Sequence, residues 1–121
     1  MKLSKESGSG NVIRSFRPGE LCLVEQAFKS HVILSASDII QNWKPAAFPA
    51  LSIADFKPAI ALDPEIILFG TGKKQRFPNH ALMTEIMRQG IAFEAMDTAA
   101  ACRTFNVLVS EHREVVAALL V

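Results

Sequence analysis

Hydrophobic positions follow two regimes along the chain. Over residues 12–35 short apolar stretches alternate with turn residues: 12–16, then Arg17-Pro18-Gly19, then 21–27, then 31–34. Pro presets φ for a turn and Gly accepts the positive φ that follows, so this section predicts antiparallel strands. Residues 37–43 fit either one more short strand or a turn of helix. Residues 45–49 are irregular, because Pro45 and Pro49 remove donors and fix φ. Ser52 followed by Asp55 is a capping pattern, which predicts a short helix to about Leu62, limited by Pro58.

Beyond Asp63-Pro64 the period changes. Ile66-Ile67-Leu68-Phe69 is a continuous apolar run ahead of Gly70-Thr71-Gly72, the pattern of a strand buried on both faces in a parallel sheet. Residues 80–89 read as a helix: Leu82, Met83, Ile86 and Met87 share one face, His80, Thr84, Glu85 and Arg88 the other, and Gly90 is a stop. Residues 91–95 return as a strand. Strand, helix and strand make a βαβ unit of about 30 residues, with the strands at Ile66 and Ile91 parallel and adjacent.

Asp97 offers an N-cap carboxylate to a helix over 98–110, and residues 113–120 have the valines and leucines of a closing strand. On a wheel of about 100° per residue, Ala101, Cys102, Phe105, Leu108 and Val109 share one face, and Arg103, Asn106 and Ser110 fill an arc of roughly 60°. Apolar residues dominate the remainder, so the pattern predicts a largely buried helix. The whole reads as an α/β chain with one globular domain over 11–121 behind a flexible start, 1–10, rich in Ser, Gly and Lys.

Composition narrows the function. Half of the 121 residues are hydrophobic and 21% are charged, which suits one packed domain. Thirteen Lys and Arg against 12 Asp and Glu leave a net charge of +1, no field to recruit nucleic acid or an anionic membrane. The longest apolar run, 115–121, has seven residues, against roughly 20 for a membrane-crossing helix. Residues 1–10 lack the apolar stretch of a secretory signal, so a cytoplasmic protein is expected. Cys22 and Cys102 lie far apart with no CxxC spacing, the usage of reduced thiols.

Candidate chemistry concentrates at one place. Gly70-Thr71-Gly72 follows a predicted strand and precedes a helix, a setting in which backbone N–H groups and a helix N-terminus hold an anion. The dinucleotide fingerprint is incomplete, because Gln75 stands where a third glycine is required and the helix begins only near Asn79. Glycines that let the chain turn at a sheet end are the plainer reading, with Lys73, Lys74 and Arg76 as solvated charges. Topology nevertheless brings Gly70, Thr71 and Gly72 beside Met96, Asp97 and Thr98, at the rim where ligands of open α/β sheets collect. Asp97 serves there as a helix cap in preference to a general base. Arg103, on a helix expected to be buried, needs a ligand anion or an internal partner among Glu94, Asp97 and Glu111. Arg103 and Asn106 are expected to reach toward the rim.

Little else points to a reaction. Cys102, on the apolar side of its helix, reads as a core thiol. His31, His80 and His112 are dispersed without metal-ligand spacing. No Ser elbow, Walker loop or paired carboxylates occur, so no catalytic residue, metal or cofactor is assigned.

Several spaced segments together resemble a known family: residues 68–72, Phe77-Pro78, Gly90-Ile91, Phe93-Glu94, Met96-Asp97-Thr98, 100–104, 106–108, Glu111 and Arg113. It is the small family of domains of unknown function that includes the mitochondrial complex I (NADH dehydrogenase) assembly factor 3 and the adipogenesis-associated domain protein. The resemblance is dense over 64–120 and loose over the antiparallel section. It implies a three-layer α/β fold with a central mixed β-sheet, helices packed on it and an N-terminal antiparallel section. It implies no established catalysis. What it implies instead is a protein partner, an assembly factor or respiratory-complex subunit, which would hold the chain at the periphery of the inner membrane; self-association is left open. Phe105 stands where the family commonly has tyrosine, and the chain contains no Tyr at all. Two expectations result: a non-catalytic binding or assembly module, or a binder or enzyme of unknown reaction for a small anionic ligand at the rim.

Overall fold

A computed structural model of the chain describes residues 10–121. The expected flexible start lies outside the described residues, apart from Gly10. Among the described residues eight strands and three helices follow one another: β1 (Ser15–Arg17), β2 (Glu20–Cys22), β3 (Ala27–Phe28), β4 (Val32–Ser35), β5 (Ile39–Gln41), α1 (Ile53–Ile60), β6 (Ile66–Gly70), α2 (His80–Met87), β7 (Ala92–Met96), α3 (Thr98–Ser110) and β8 (Val115–Leu119). A single 3-10 turn, Phe48–Ala50, precedes α1.

The strands form two sheets. β1, β2 and β3 make a small antiparallel sheet, turned between its first two strands at Pro18-Gly19, where Gly19 takes φ 94°. The large sheet is mixed, in the order β5-β4-β8-β6-β7. Its β6 is parallel to both β8 and β7, and β4 is antiparallel to β8 and β5. The expected βαβ pairing is therefore present, with Ile66 beside Ala92. Residues 12–35 were expected as one antiparallel section; each of their strands pairs antiparallel, but β4 leaves the small sheet for the large one. Its run Val32, Ile33 and Leu34 is buried on both faces, which only the sheet interior satisfies.

Alternation along the central strands sorts the core into two layers. Val32 and Leu34, Leu68, and Val115, Ala117 and Leu119 turn toward α3 and the small sheet, where they meet Leu21, Phe28, Ala101, Cys102 and Phe105. Ile33, Ile67 and Phe69, and Val116 and Ala118 turn the other way, against Trp43, Phe56, Leu82 and Ile86 of the α1 and α2 layer. The result is the three-layer arrangement, since successive strand side chains point to opposite faces. In the second core Trp43, Phe48, Phe56 and Phe93 surround Phe69, with ring centroids 5.1 to 6.2 Å from it. Trp43 and Phe56 meet Phe69 edge to face, an arrangement favoured by the ring quadrupoles, while Phe48 stacks on it and Phe93 is tilted.

The caps agree with the sequence. Asp55 accepts the Ser52 N–H at 3.0 Å, Asn79 accepts the Leu82 N–H at 2.8 Å, and Asp97 accepts the Ala100 N–H at 2.8 Å. One expectation fails. α3 is not largely buried: Thr98, Ala101, Cys102 and Phe105 are covered, whereas Arg103 is exposed and Val107 is 53% exposed. A helix laid on a sheet covers one stripe only, and counting apolar residues around the wheel overstates it. Arg103 therefore needs no internal counter-ion, and it forms no ion pair with Glu94, Asp97 or Glu111 among the described residues. Cys102 lies in the core, and burial pushes its thiol up to about 12. No helix among the described residues is long and apolar enough to cross a membrane.

Candidate functional site

The rim lies at the carboxyl ends of β6, β7 and β8. Six of the eight residues singled out there come together: Gly70, Thr71 and Gly72 meet Met96, Asp97 and Thr98. Thr71 donates its N–H to Met96 O at 2.8 Å and its hydroxyl to Lys74 O at 2.5 Å. The Thr98 hydroxyl donates to Leu120 O at 2.7 Å and accepts the Gly72 N–H at 2.8 Å, while Thr98 N–H donates to Gly72 O at 2.9 Å. Leu120 N–H closes the circuit on Gly70 O at 2.9 Å. Both threonines are buried, at 1% and 0% exposure, so their hydroxyls are shielded from water. Gly70 allows the close approach, since a Cβ there would lie 2.9 Å from Thr98 Oγ1 and Leu119 Cδ2.

The other two residues lie apart. Arg103 projects from the outer face of α3. Asn106 faces the small sheet, where Oδ1 accepts the Ile13 N–H at 2.9 Å and Nδ2 donates to Ile13 O at 2.8 Å. It fastens the chain entering β1 to α3.

Three neighbours of the rim were not signalled as such by the sequence. Gln75 donates its side-chain amide to Ala95 O at 3.1 Å, and Arg76 holds its guanidinium 3.9 Å from the centroid of Phe48. His31, just before β4, accepts the Val121 N–H on Nδ1 at 2.9 Å, which requires the neutral ring there; partial burial holds its pKa below the ordinary value. No motif marks this contact, because His31 and Val121 meet only through the β4–β8 pairing.

At the opposite end of the strands is a cleft of about 730 Å3, bordered by Val12, Ser35, Asp38, Pro64, Asn106, Ser110 and His112. Its polar lining is largely engaged: Asp38 accepts the Ser35 hydroxyl at 2.8 Å and Ser110 donates to Val107 O at 2.6 Å. Beside it the Glu65 carboxylate accepts the Glu114 N–H and pairs with Arg113, both at 3.0 Å, and these partners lower its pKa.

Known proteins are similar to this chain in sequence and in fold. The family described as "Protein of unknown function (DUF498/DUF598)" matches residues 13–120. A Danio rerio protein named NADH dehydrogenase (ubiquinone) 1 alpha subcomplex assembly factor 3 is 30% identical over 120 residues, which cover 98% of this chain and 68% of that protein. A "13 kDa major membrane protein" of Francisella tularensis subsp. holarctica is 30% identical over 103 residues, 84% of each chain. The NMR structure of a Xanthomonas campestris protein, 34% identical, matches with a TM-score of 0.85 over 100% of this chain and 92% of that one.

Proposed function

The chain belongs to the DUF498/DUF598 family of proteins of unknown function, and from that premise we propose that it is a non-catalytic binding module that helps assemble the respiratory NADH dehydrogenase through a protein partner. The observation that carries this reading is the relation to the zebrafish assembly factor, which runs through 98% of this chain rather than one motif. The rim supports it from the other side, because its buried threonines and backbone groups spend their hydrogen bonds on one another. Arg103, away from the rim on the outer face of α3, turns its charge outward and belongs to the partner-facing surface. Cytoplasmic location, with attachment to the inner membrane only through the partner, is part of the same proposal.

Deleting the gene in its own cell tests it, with native gels and NADH–quinone activity of the membranes as readouts. The expected result is loss of the intact complex while its subunits are still synthesised. An unchanged amount of assembled, active complex overturns the reading.

A further inference from the structure

Strand β7 closes one side of the large sheet, and among the described residues no strand lies beyond it. Its inner side is used by β6: Ala92 N–H donates to Glu65 O at 3.0 Å, and Met96 O accepts the Thr71 N–H at 2.8 Å. In a parallel ladder alternate residues turn both backbone groups to the same neighbour. Ala92, Glu94 and Met96 thus face β6, and Phe93 and Ala95 turn their N–H and C=O groups outward. Of these four groups only Ala95 O has a partner among the described residues, the amide of Gln75. The strand carries neither Pro nor Lys, the residues that commonly blunt an open edge.

Gln75 also fixes the charge beside this edge. Its loop neighbours Lys73, Lys74 and Arg76 are exposed and form no ion pair among the described residues. We propose that the outer edge of β7 receives an extended acidic segment of a partner protein, which adds as a further strand with its carboxylates beside Lys73, Lys74 and Arg76. The inference rests on the binding-module reading and names the surface and the partner chemistry.

A second copy of this chain fits worse. Two β7 strands paired over their full length about a two-fold axis place Glu94 directly opposite Glu94, and like charges in that position destabilise a ladder. Registers that separate the two carboxylates overlap only three of the five residues of the strand. Charge complementarity selects an acidic strand instead, and main-chain hydrogen bonds supply the affinity, as in other strand additions.

Two blocked peptides test the proposal, both alternating valine and threonine, one flanked at each end by glutamates and the other by lysines. Amide exchange is read residue by residue on the whole chain. The glutamate peptide is expected to slow exchange at Phe93 and Ala95 by roughly tenfold when present at about ten times its Kd, and the lysine peptide to leave both amides unchanged. In the double variant Lys73→Glu/Lys74→Glu, whose positions are exposed, the preference reverses. No slowing at Phe93 and Ala95 up to the solubility of the glutamate peptide overturns the proposal, as does equal slowing by both peptides. Concentration-dependent dimers that protect the same two amides without peptide overturn it in favour of a second copy. None of these readouts involves the respiratory complex, so failure here removes the surface and leaves the assembly role standing.

Discussion

At the carboxyl ends of β6, β7 and β8, two threonine hydroxyls and the adjoining backbone consume one another's hydrogen bonds, whereas the amino ends leave a cleft of about 730 Å3 between Asp38, Pro64 and Ser110. Strand topology alone favours the first end as a ligand site. The hydrogen bonds decide otherwise: the polar groups of the rim are spent on one another, and the cleft has space whose polar groups are largely engaged. A binding site needs polar groups still free to bond, so the outer edge of β7, where three of the four outward backbone groups have no partner among the described residues, is the better place for a partner.

The sharpest way to break this contrast is to disturb the sealed end. Gly70→Ala puts a Cβ 2.9 Å from Thr98 Oγ1 and 3.1 Å from Thr98 Cα, and the second of these is backbone that cannot swing aside. Overpacking of this kind is expected to cost about 3 kcal/mol in urea unfolding. A near-normal stability would show that the rim has slack after all.

Thr98→Val keeps the shape and deletes the hydroxyl. It leaves the half-buried Gly72 N–H and Leu120 C=O without their partner, and a loss of about 2 kcal/mol is expected. If the loss is instead within a few tenths, water reaches the rim and the end is not sealed.

A smaller effect is expected from pH, again at the rim end. Nδ1 of His31 must be unprotonated to accept the Val121 N–H, and burial lowers its folded pKa below the ordinary 6.5. The unfolded chain then takes up its proton first as pH falls. This contribution to stability is complete above about pH 6.5 and is lost as pH drops from there toward the folded pKa. Unfolding measured between about pH 8 and pH 5.5 is expected to show that slope in the parent chain and a weaker one in His31→Asn, which keeps an acceptor but does not titrate. Equal slopes would place the titration elsewhere.

These tests fall on residues that the sequence makes legible to very different degrees. The strands at Ile66 and Ala92, the caps at Asp55 and Asp97 and the core position of Cys102 follow from local rules, because each depends on spacing within a few residues. The gathering of Gly70, Thr71, Gly72, Met96, Asp97 and Thr98 follows too, since a βαβ unit fixes which loops meet. What spacing does not carry is which partner each polar group chooses. Asn106 shares an arc with Arg103 on the wheel yet reaches Ile13, a residue 93 positions away. The transfer of β4 into the large sheet is equally hidden, because it is decided by the pairing of Val32–Ser35 with β8 near the far end of the chain.

At the open end the expected effects shrink. Ser110→Ala removes one exposed hydroxyl whose bond is to Val107 O within its own helix, and a change within about 0.5 kcal/mol is expected. A loss matching that of Thr98→Val would mean that the cleft is braced as firmly as the rim, and the contrast would disappear.

The smallest stability effect is expected from Arg103→Met, and it carries the most about function. Were Arg103 neutralised by Glu94, Asp97 or Glu111, removing the guanidinium would strand a carboxylate and lower the melting temperature. The exposed guanidinium has no such pair among the described residues, and the methionine keeps most of the apolar stem. The change in unfolding free energy is therefore expected to stay within the scatter of exposed substitutions, about 0.5 kcal/mol, with the melting temperature little moved. Recovery of the chain with the assembling complex is expected to fall, because an outward cation in an interface acts on the encounter with a negatively charged partner. A marked drop in melting temperature would tie Arg103 to the fold. Unchanged stability with unchanged recovery would move the partner surface off the outer face of α3, leaving the β7 edge with its three basic neighbours to account for binding.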